Sequence, residues 1–422
     1  ALDSDYVAGR TKPEIVAPLS TSSSATPIVS AAAALLIEKA HTDTSLSTDP
    51  DQLSTTNRNG NTIYNAERAE VIKSILMAGA SRNTSNTSTA DITDYRTLPA
   101  NQTSNGLDSR YGAGQLNIYN SYNILAAGEQ NSDEDDGAGD GSITDTGFDY
   151  DPSFGGDSGS NNTSTYRFST GDDEYRLTTT LAWNININGG NGRLFSGTAT
   201  LHDLDLHIYD ATNTPTLIAS STSTTDNTET IWTILPRNRD YELVVSPKAG
   251  QPSFDWDYAI AWRLEPVQDT DGDGLSDLLE ASIGTDPNLI DSDDDGLSDY
   301  DEVAWDGDAD TYTPGSDLDP LSTDSDSDDY PDEMEVKTGF DPLNGSDTPI
   351  WGDLNEDGDV DAADIILLTR AVLEGVTLTT NQSILGNVAP LVTGAPEYNP
   401  SGTIDAGDLL ILQRKAIGEI NY

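Results

Sequence analysis

Aspartates at every second position recur through the last third of the chain, and they are the residues best placed to do chemistry. One run holds Asp269, Asp271, Asp273, Gly274, Leu275, Asp277 and Glu280, and it returns as Asp291, Asp293, Asp295, Gly296, Leu297, Asp299 and Glu302. A degraded copy reads Asp324, Asp326, Asp328, Asp329, Tyr330, Asp332 and Glu335. Alternating carboxylates, a glycine for a sharp turn and a later acid are what a loop needs to wrap a hard cation in oxygens. Calcium fits that donor set, and several ions are expected. An insert with Asp306, Asp308 and Asp310 is a candidate further site.

Two more loops lie near the end of the sequence. Asp353, Asn355, Asp357, Gly358, Asp359, Asp361 and Asp364 fall at positions 1, 3, 5, 6, 7, 9 and 12 of a calcium loop, and an apolar helix from Ile365 to Leu373 follows. The second copy reads Glu397, Asn399, Ser401, Gly402, Thr403, Asp405 and Asp408, followed by a helix from Leu409 to Ile417. In both, Asp replaces Glu at the last position and no helix precedes the loop. The second loop has fewer charged ligands and is expected to hold its ion more weakly. Two such half EF-hands resemble a type I dockerin. The resemblance implies calcium sites at Asp353, Asn355, Asp357, Asp359 and Asp364 and at Glu397, Asn399, Ser401, Thr403 and Asp408. It also implies a cohesin-like partner, although Ala362-Ala363 and Ala406-Gly407 stand where Ser-Thr often serves cohesin recognition.

The three Asp-rich units resemble the bacterial relatives of thrombospondin type 3 repeats. On that reading Leu275 and Leu297 are the few apolar anchors and ions supply most of the remaining core. Asp286-Pro287, Asp319-Pro320 and Asp341-Pro342 mark stiff connectors.

Charge supports this reading. The chain has 422 residues and a net charge of -53. Residues 269–350 hold 27 Asp plus Glu against one base, Lys337. Carboxylates this close repel by roughly 1 kcal/mol per pair at about 4 Å in water, so a folded form needs counter-ions. The same charge excludes nucleic acid as a partner. With no cysteine, stability must come from a core, from metal or from assembly. No apolar stretch of about 18 residues exists, so no transmembrane segment is encoded. The first residues lack a charged head and apolar run, so any secretion signal is expected to have been removed. Low-affinity calcium loops work where calcium is abundant, which makes the expected location extracellular, secreted or attached to a cell surface. Asn83, Asn86 and Asn162 head triplets that permit glycosylation.

The elements that must position these loops follow from periodicity. Ala31 to Ala40 and Ala66 to Ala78 read as helix. Residues 131–165 have the Asp/Gly/Ser/Asn composition of a linker. Alternation then predicts strands at Leu177 to Trp183, Leu204 to Tyr209, Thr228 to Ile234, Tyr241 to Val245 and Tyr258 to Trp262, an antiparallel sandwich. That segment resembles the accessory β-sandwich that follows many secreted subtilisin-like catalytic domains. Asp203 and Asp205 are weaker calcium candidates on it.

Thr21-Ser22-Ser23-Ser24-Ala25-Thr26-Pro27, preceded by Lys12-Pro13-Glu14-Ile15-Val16-Ala17-Pro18, resembles the segment around the serine of subtilisin-like proteases. Ser23 takes the nucleophile position there, and Gly112, Gly114 and Asn117 match the end of that domain. The resemblance covers residues 10 to about 128, the C-terminal piece of the family's domain. The family's catalytic Asp and His precede the serine, whereas His41, His202 and His207 all follow it. A serine without a base is a weak nucleophile, so Ser23 is catalytic only if an N-terminal fragment completes the site. A truncated protease sheet would also leave an edge and apolar helices to be covered, which another copy could do in an open-ended homopolymer.

The fold class expected is multidomain and mixed. It comprises an incomplete α/β subtilase piece (1–130), an acidic linker (131–165), an antiparallel β-sandwich (166–268), calcium-stabilised Asp-rich loops (269–349) and a small α dockerin-like pair of half EF-hands (350–422). The function expected is calcium-dependent binding and assembly outside the cell, through a cohesin-like domain or another copy of the chain. The alternative is the C-terminal part of a calcium-dependent subtilisin-like protease anchored by a dockerin.

Overall fold

The computed structural model describes residues 13–18, 22–49, 52–82, 102–134, 140–156, 161–188, 198–392, 394–399 and 402–422. Lys12, Thr21, Asn83, Asn86 and Ser401 lie outside the described residues. The chain divides into two compact units, 1–267 and 268–422.

In the first unit, helices α1 (Ser22–Thr42), α2 (Ala69–Ala78) and α3 (Ile118–Ala127) come before strands β1 (Thr146–Gly155), β2 (Ser164–Ser169), β3 (Tyr175–Trp183), β4 (Leu204–Asp210), β5 (Thr216–Ser221), β6 (Thr228–Leu235), β7 (Asp240–Pro247) and β8 (Asp255–Pro266). One antiparallel sheet runs β6-β3-β8-β1. The other runs β5-β4-β7-β2 and adds the short segment Asp133–Glu134 at its edge. Their inner faces share one core of Tyr166, Leu181, Leu206, Ile208, Leu243 and Trp262 with their neighbours. All five strands expected from alternation are present.

Strand β1 corrects the expectation of a linker over 131–165. Its residues Phe148, Tyr150 and Phe154 are fully or almost fully buried, and it pairs along its length with β8. The Asp, Gly and Ser around these aromatics hid a strand whose aspartates, Asp149 and Asp151, are buried too.

β8 shows why the helices stay with this body. Tyr258, Ile260, Trp262 and Leu264 face the core between the sheets. Ala259 and Ala261 face the other way, opposite Tyr150 and Phe148 on β1, into a second core with Leu36, Val71, Ile75 and Ile124 of the helices. Two alanines in a strand with both faces buried let a helix approach closely. The cover that these helices were expected to need comes, on this side, from the sheet of the same chain. Leu35 and Tyr119 remain exposed on their outer side.

Gly112 and Gly114 have a local role. Both have left-handed φ (+64° and +126°), and a Cβ would overlap the Pro13 carbonyl oxygen at one and the Ser81 carbonyl oxygen at the other. Asn117 caps α3, accepting from the Tyr119 and Asn120 backbones.

The second unit begins with short helices α4 (Asp277–Ile283), α5 (Asp299–Val303) and α6 (Asp332–Thr338) and continues through α7 (Ala362–Glu374), α8 (Thr380–Gly386) and α9 (Ala406–Ala416). The modules expected at 269–349 and 350–422 form one compact unit. Tyr398 donates to Glu333 at 2.5 Å, and Asn381 donates to the Thr338 carbonyl oxygen. A hydrophobic cluster of Leu354, Leu368, Val388 and Leu412 fills the C-terminal part. Among the described residues the acidic repeats have only scattered buried apolar side chains: Leu275, Val303, Leu318 and Met334. Leu297 is half-buried, so of the two expected anchors only Leu275 is fully enclosed.

Enlarging the alanines tests the helix-on-sheet packing. Ala259→Leu should destabilise the first unit by about 1–3 kcal/mol through overpacking, read as a lower midpoint in denaturant titration; an unchanged midpoint would place the helices away from β8.

Candidate metal centres

Each acidic repeat is held by its own side chains before any ion is considered. The first aspartate accepts from backbone amides across the turn: Asp269 from Gly272 and Gly274, Asp291 from Asp294 and Gly296, Asp324 from Ser327, Asp328 and Asp329. Two left-handed residues make that turn possible. φ is +80°, +64° and +64° at Gly272, Asp294 and Ser327, and +114°, +106° and +78° at Gly274, Gly296 and Asp329. Glu356 and Gly358 repeat the pair at +57° and +90° in the first C-terminal loop. Non-glycine residues hold this conformation at a cost of roughly 1–2 kcal/mol each, so the loop geometry overrides local preference. The degraded third repeat is thus built like the other two.

The ninth position also has a duty that the spacing did not suggest. Asp277, Asp299 and Asp332 were expected as ligands, yet both oxygens of each accept from the second residue of their own loop. Asp277 bonds the Thr270 amide and hydroxyl at 2.8 and 2.9 Å, Asp299 the Ser292 pair at 2.8 and 2.7 Å, and Asp332 the Ser325 pair at 2.9 and 2.6 Å. These aspartates fasten the loop to the helix that follows it.

Ligand oxygens are left over at the other acidic positions. The oxygens of Asp269, Asp271 and Asp273 lie within 4.8 Å of one another, as do those of Asp291, Asp293 and Asp295 and those of Asp324, Asp326 and Asp328. Behind each trio stands a glutamate with no exposed surface: Glu280, Glu302 or Glu335. Both carboxylate oxygens of all three glutamates are buried without a hydrogen-bond partner. Buried oxygens without a donor cost several kcal/mol when charged. Burial, then the neighbouring aspartates, push Glu280 up to about 7, Glu335 to about 8 and Glu302 to about 9. Each aspartate trio and its buried glutamate together offer the oxygen-only donor set that suits a hard divalent cation.

Successive repeats are joined through the same acids. The second oxygen of Asp273 accepts from the Tyr300 amide in the next repeat, and that of Asp295 accepts from Glu333 in the third. Gly274 packs against the Tyr300 ring and Gly296 against the Glu333 carboxylate, where a Cβ would collide. Each Asp-Pro pair forms a turn, with Asp286, Asp319 and Asp341 accepting from the residue two positions on.

The remaining predicted ligands converge less. Asp364 spends its carboxylate on the Leu354, Asn355 and Asp361 amides, and Asp408 on the Ala389 and Asp405 amides. Asn355, Asp357, Asp359, Glu397, Asn399 and Thr403 are exposed. Asp353 accepts from Asp357 and Gly358, as the first aspartate of the repeats does. In the insert, sequence reasoning missed Asp317. Its carboxylate binds the Asp306 and Thr313 amides, and its distance from Asp306 equals that from Asp269 to Glu280, a spacing that could have revealed it. Of the weaker candidates, Asp203 pairs with Lys248, while burial, then Asp203, raise Asp205 to about 6.

Ser23 lies exposed on the first turn of α1. Among the described residues the histidines are engaged elsewhere: His41 meets Glu67 at 2.8 Å, His202 stacks on Phe254 and His207 on Tyr209.

Residues 269–289 and 291–304 match the model of the bacterial TSP3 repeat. These two units are similar to that calcium-binding repeat. The third unit lies outside the match. No curated protein matches the chain. Among solved structures, the pre-peptidase C-terminal domain of a Bacillus anthracis collagenase is 11% identical over 29% of this chain and 92% of that one, with a TM-score of 0.21. PliG, a periplasmic inhibitor of g-type lysozyme from Aeromonas hydrophila, is 12% identical over 29% and 94%, at 0.19. A CBM4 structure is 12% identical over 29% and 73%, at 0.18. Likeness this slight carries no argument.

The division of labour within the TSP3-like loops is testable. Glu302→Gln should lower the calcium bound per chain by one ion, whereas Asp299→Asn should keep the count and lower the melting temperature. Elemental analysis after gel filtration reads the first and thermal unfolding the second.

Protonation gives another test. The folded, metal-free glutamates have pKa values raised above 4.5, so the fold binds more protons than the unfolded chain. Its stability is then greatest below about pH 4.5 and falls as pH rises towards about 9. In chelator the melting temperature of the second unit should drop over that range, and excess calcium should remove the drop.

Proposed function

We propose that this chain is a secreted calcium-binding structural protein whose acidic repeats take their folded form around several ions. The observation that carries the reading is the set of three buried glutamates with both oxygens unpartnered, in repeats whose aspartates converge in trios. A segment with so little apolar core holds together only if something else neutralises and cross-links these acids. Bacterial TSP3 repeats are typical of extracellular proteins, and among the described residues no helix is long and apolar enough to cross a membrane.

The C-terminal helices serve as the docking end, with a cohesin-like domain as partner. Support comes from their duplication. Asp361 and Asp405 cap α7 and α9 with the same reciprocal box, closed by Asp364 and Asp408. Ile366 and Leu373 on α7 are exposed, and so are Leu410 on α9 and Ile417 at its C-cap.

Hydrogen exchange resolved by segment tests the calcium reading in the full chain. Chelator should raise exchange across 269–349, and restored calcium should return protection. Unchanged protection in chelator would overturn it.

A further inference from the structure

The first unit contains an acidic group that none of the calcium loops includes. Asp49 follows α1, Glu129 follows the end of α3, and Asp149 lies on β1. All three are buried, at 7%, 4% and 2% exposure, and their oxygens lie within 4.8 Å of one another. The hydrogen bonds given to Glu129 come from neutral donors, the Thr48 and Asp49 amides and the Asn65 side chain. Asp149 accepts from the Tyr166 hydroxyl at 2.8 Å through one oxygen. Its other oxygen, Oδ1, is buried and has no partner.

A second observation comes from a side chain outside the acidic trio. Asn65 has no exposed surface. Its amide nitrogen lies 2.9 Å from Glu129, and its oxygen is also buried without a partner. A single proton shared within the trio would supply one donor for two unpartnered buried oxygens, Asp149 Oδ1 and Asn65 Oδ1. A hard cation uses carboxylate and amide oxygens together.

We propose that Asp49, Glu129 and Asp149, with Asn65 beside them, hold a divalent cation, calcium by the chemistry of the donors. The place of the site gives it a task. The chain at Glu129 runs alongside β1, with the Gln130 amide donating to the Phe148 carbonyl oxygen, and Asp49 and Asn65 belong to the helical layer. An ion there ties that layer to the edge of the two-sheet body. The inference is independent of the repeats, since every ligand lies in the other unit.

Asp149→Asn and Glu129→Gln in the full chain test it, by calcium counted per chain and by thermal unfolding in calcium and in chelator. Each variant should bind one ion fewer than the parent. Each should melt further below the parent in calcium than in chelator, where the ion's contribution is absent. An unchanged ion count, or a melting difference that chelator does not alter, would overturn the proposal. If one variant fails to fold, the other carries the test. Protection of 269–349 by calcium, measured on the same samples, reports on the repeats separately.

Discussion

Buried carboxylates with nothing to oppose their charge are the constraint on which the second unit depends. Glu280, Glu302 and Glu335 have no exposure and are repelled by the aspartates that converge in their own repeats. At such separations repulsion in a partly buried setting reaches several kcal/mol per pair, while the apolar contribution is limited to a few isolated side chains. Hydrophobic burial cannot outweigh that repulsion; a coordinated cation can, because it turns the same oxygens into cross-links.

The loops prepare for this with bonds that need no ion. The first aspartate closes the turn and the ninth fastens the second residue to the following helix, so the remaining oxygens are held close together in advance. One oxygen of Asp273 and one of Asp295 reach the next repeat. Order in one loop therefore supports order in its neighbour, the nearest-neighbour coupling characteristic of repeat proteins.

The first unit uses the opposite means. Its strength is apolar, a core between two sheets and a second core between one sheet and the helices. Its helices have a partner surface in Ala259, Ala261, Phe148 and Tyr150. That cover removes the reason for requiring a second copy of the chain on this face.

Much was legible in the sequence because local chemistry wrote it there. Alternation at Leu204 to Tyr209 or Thr228 to Ile234 gives strands whatever they face, and the spacing of aspartates and glycines marks the loops since each position has its own geometric duty. Tertiary structure decided what spacing cannot express. Asp277 and Glu280 are both acids three residues apart; only the fold turns one to the Thr270 amide and hydroxyl and leaves the other without a donor. β1 was hidden because its aspartates point into a buried, polar edge rather than to solvent. Asp49, Glu129 and Asp149 are separated by 80 and 20 residues, and no periodicity connects them. They meet because α1, α3 and β1 pack together, which depends on side-chain contacts far apart in the chain.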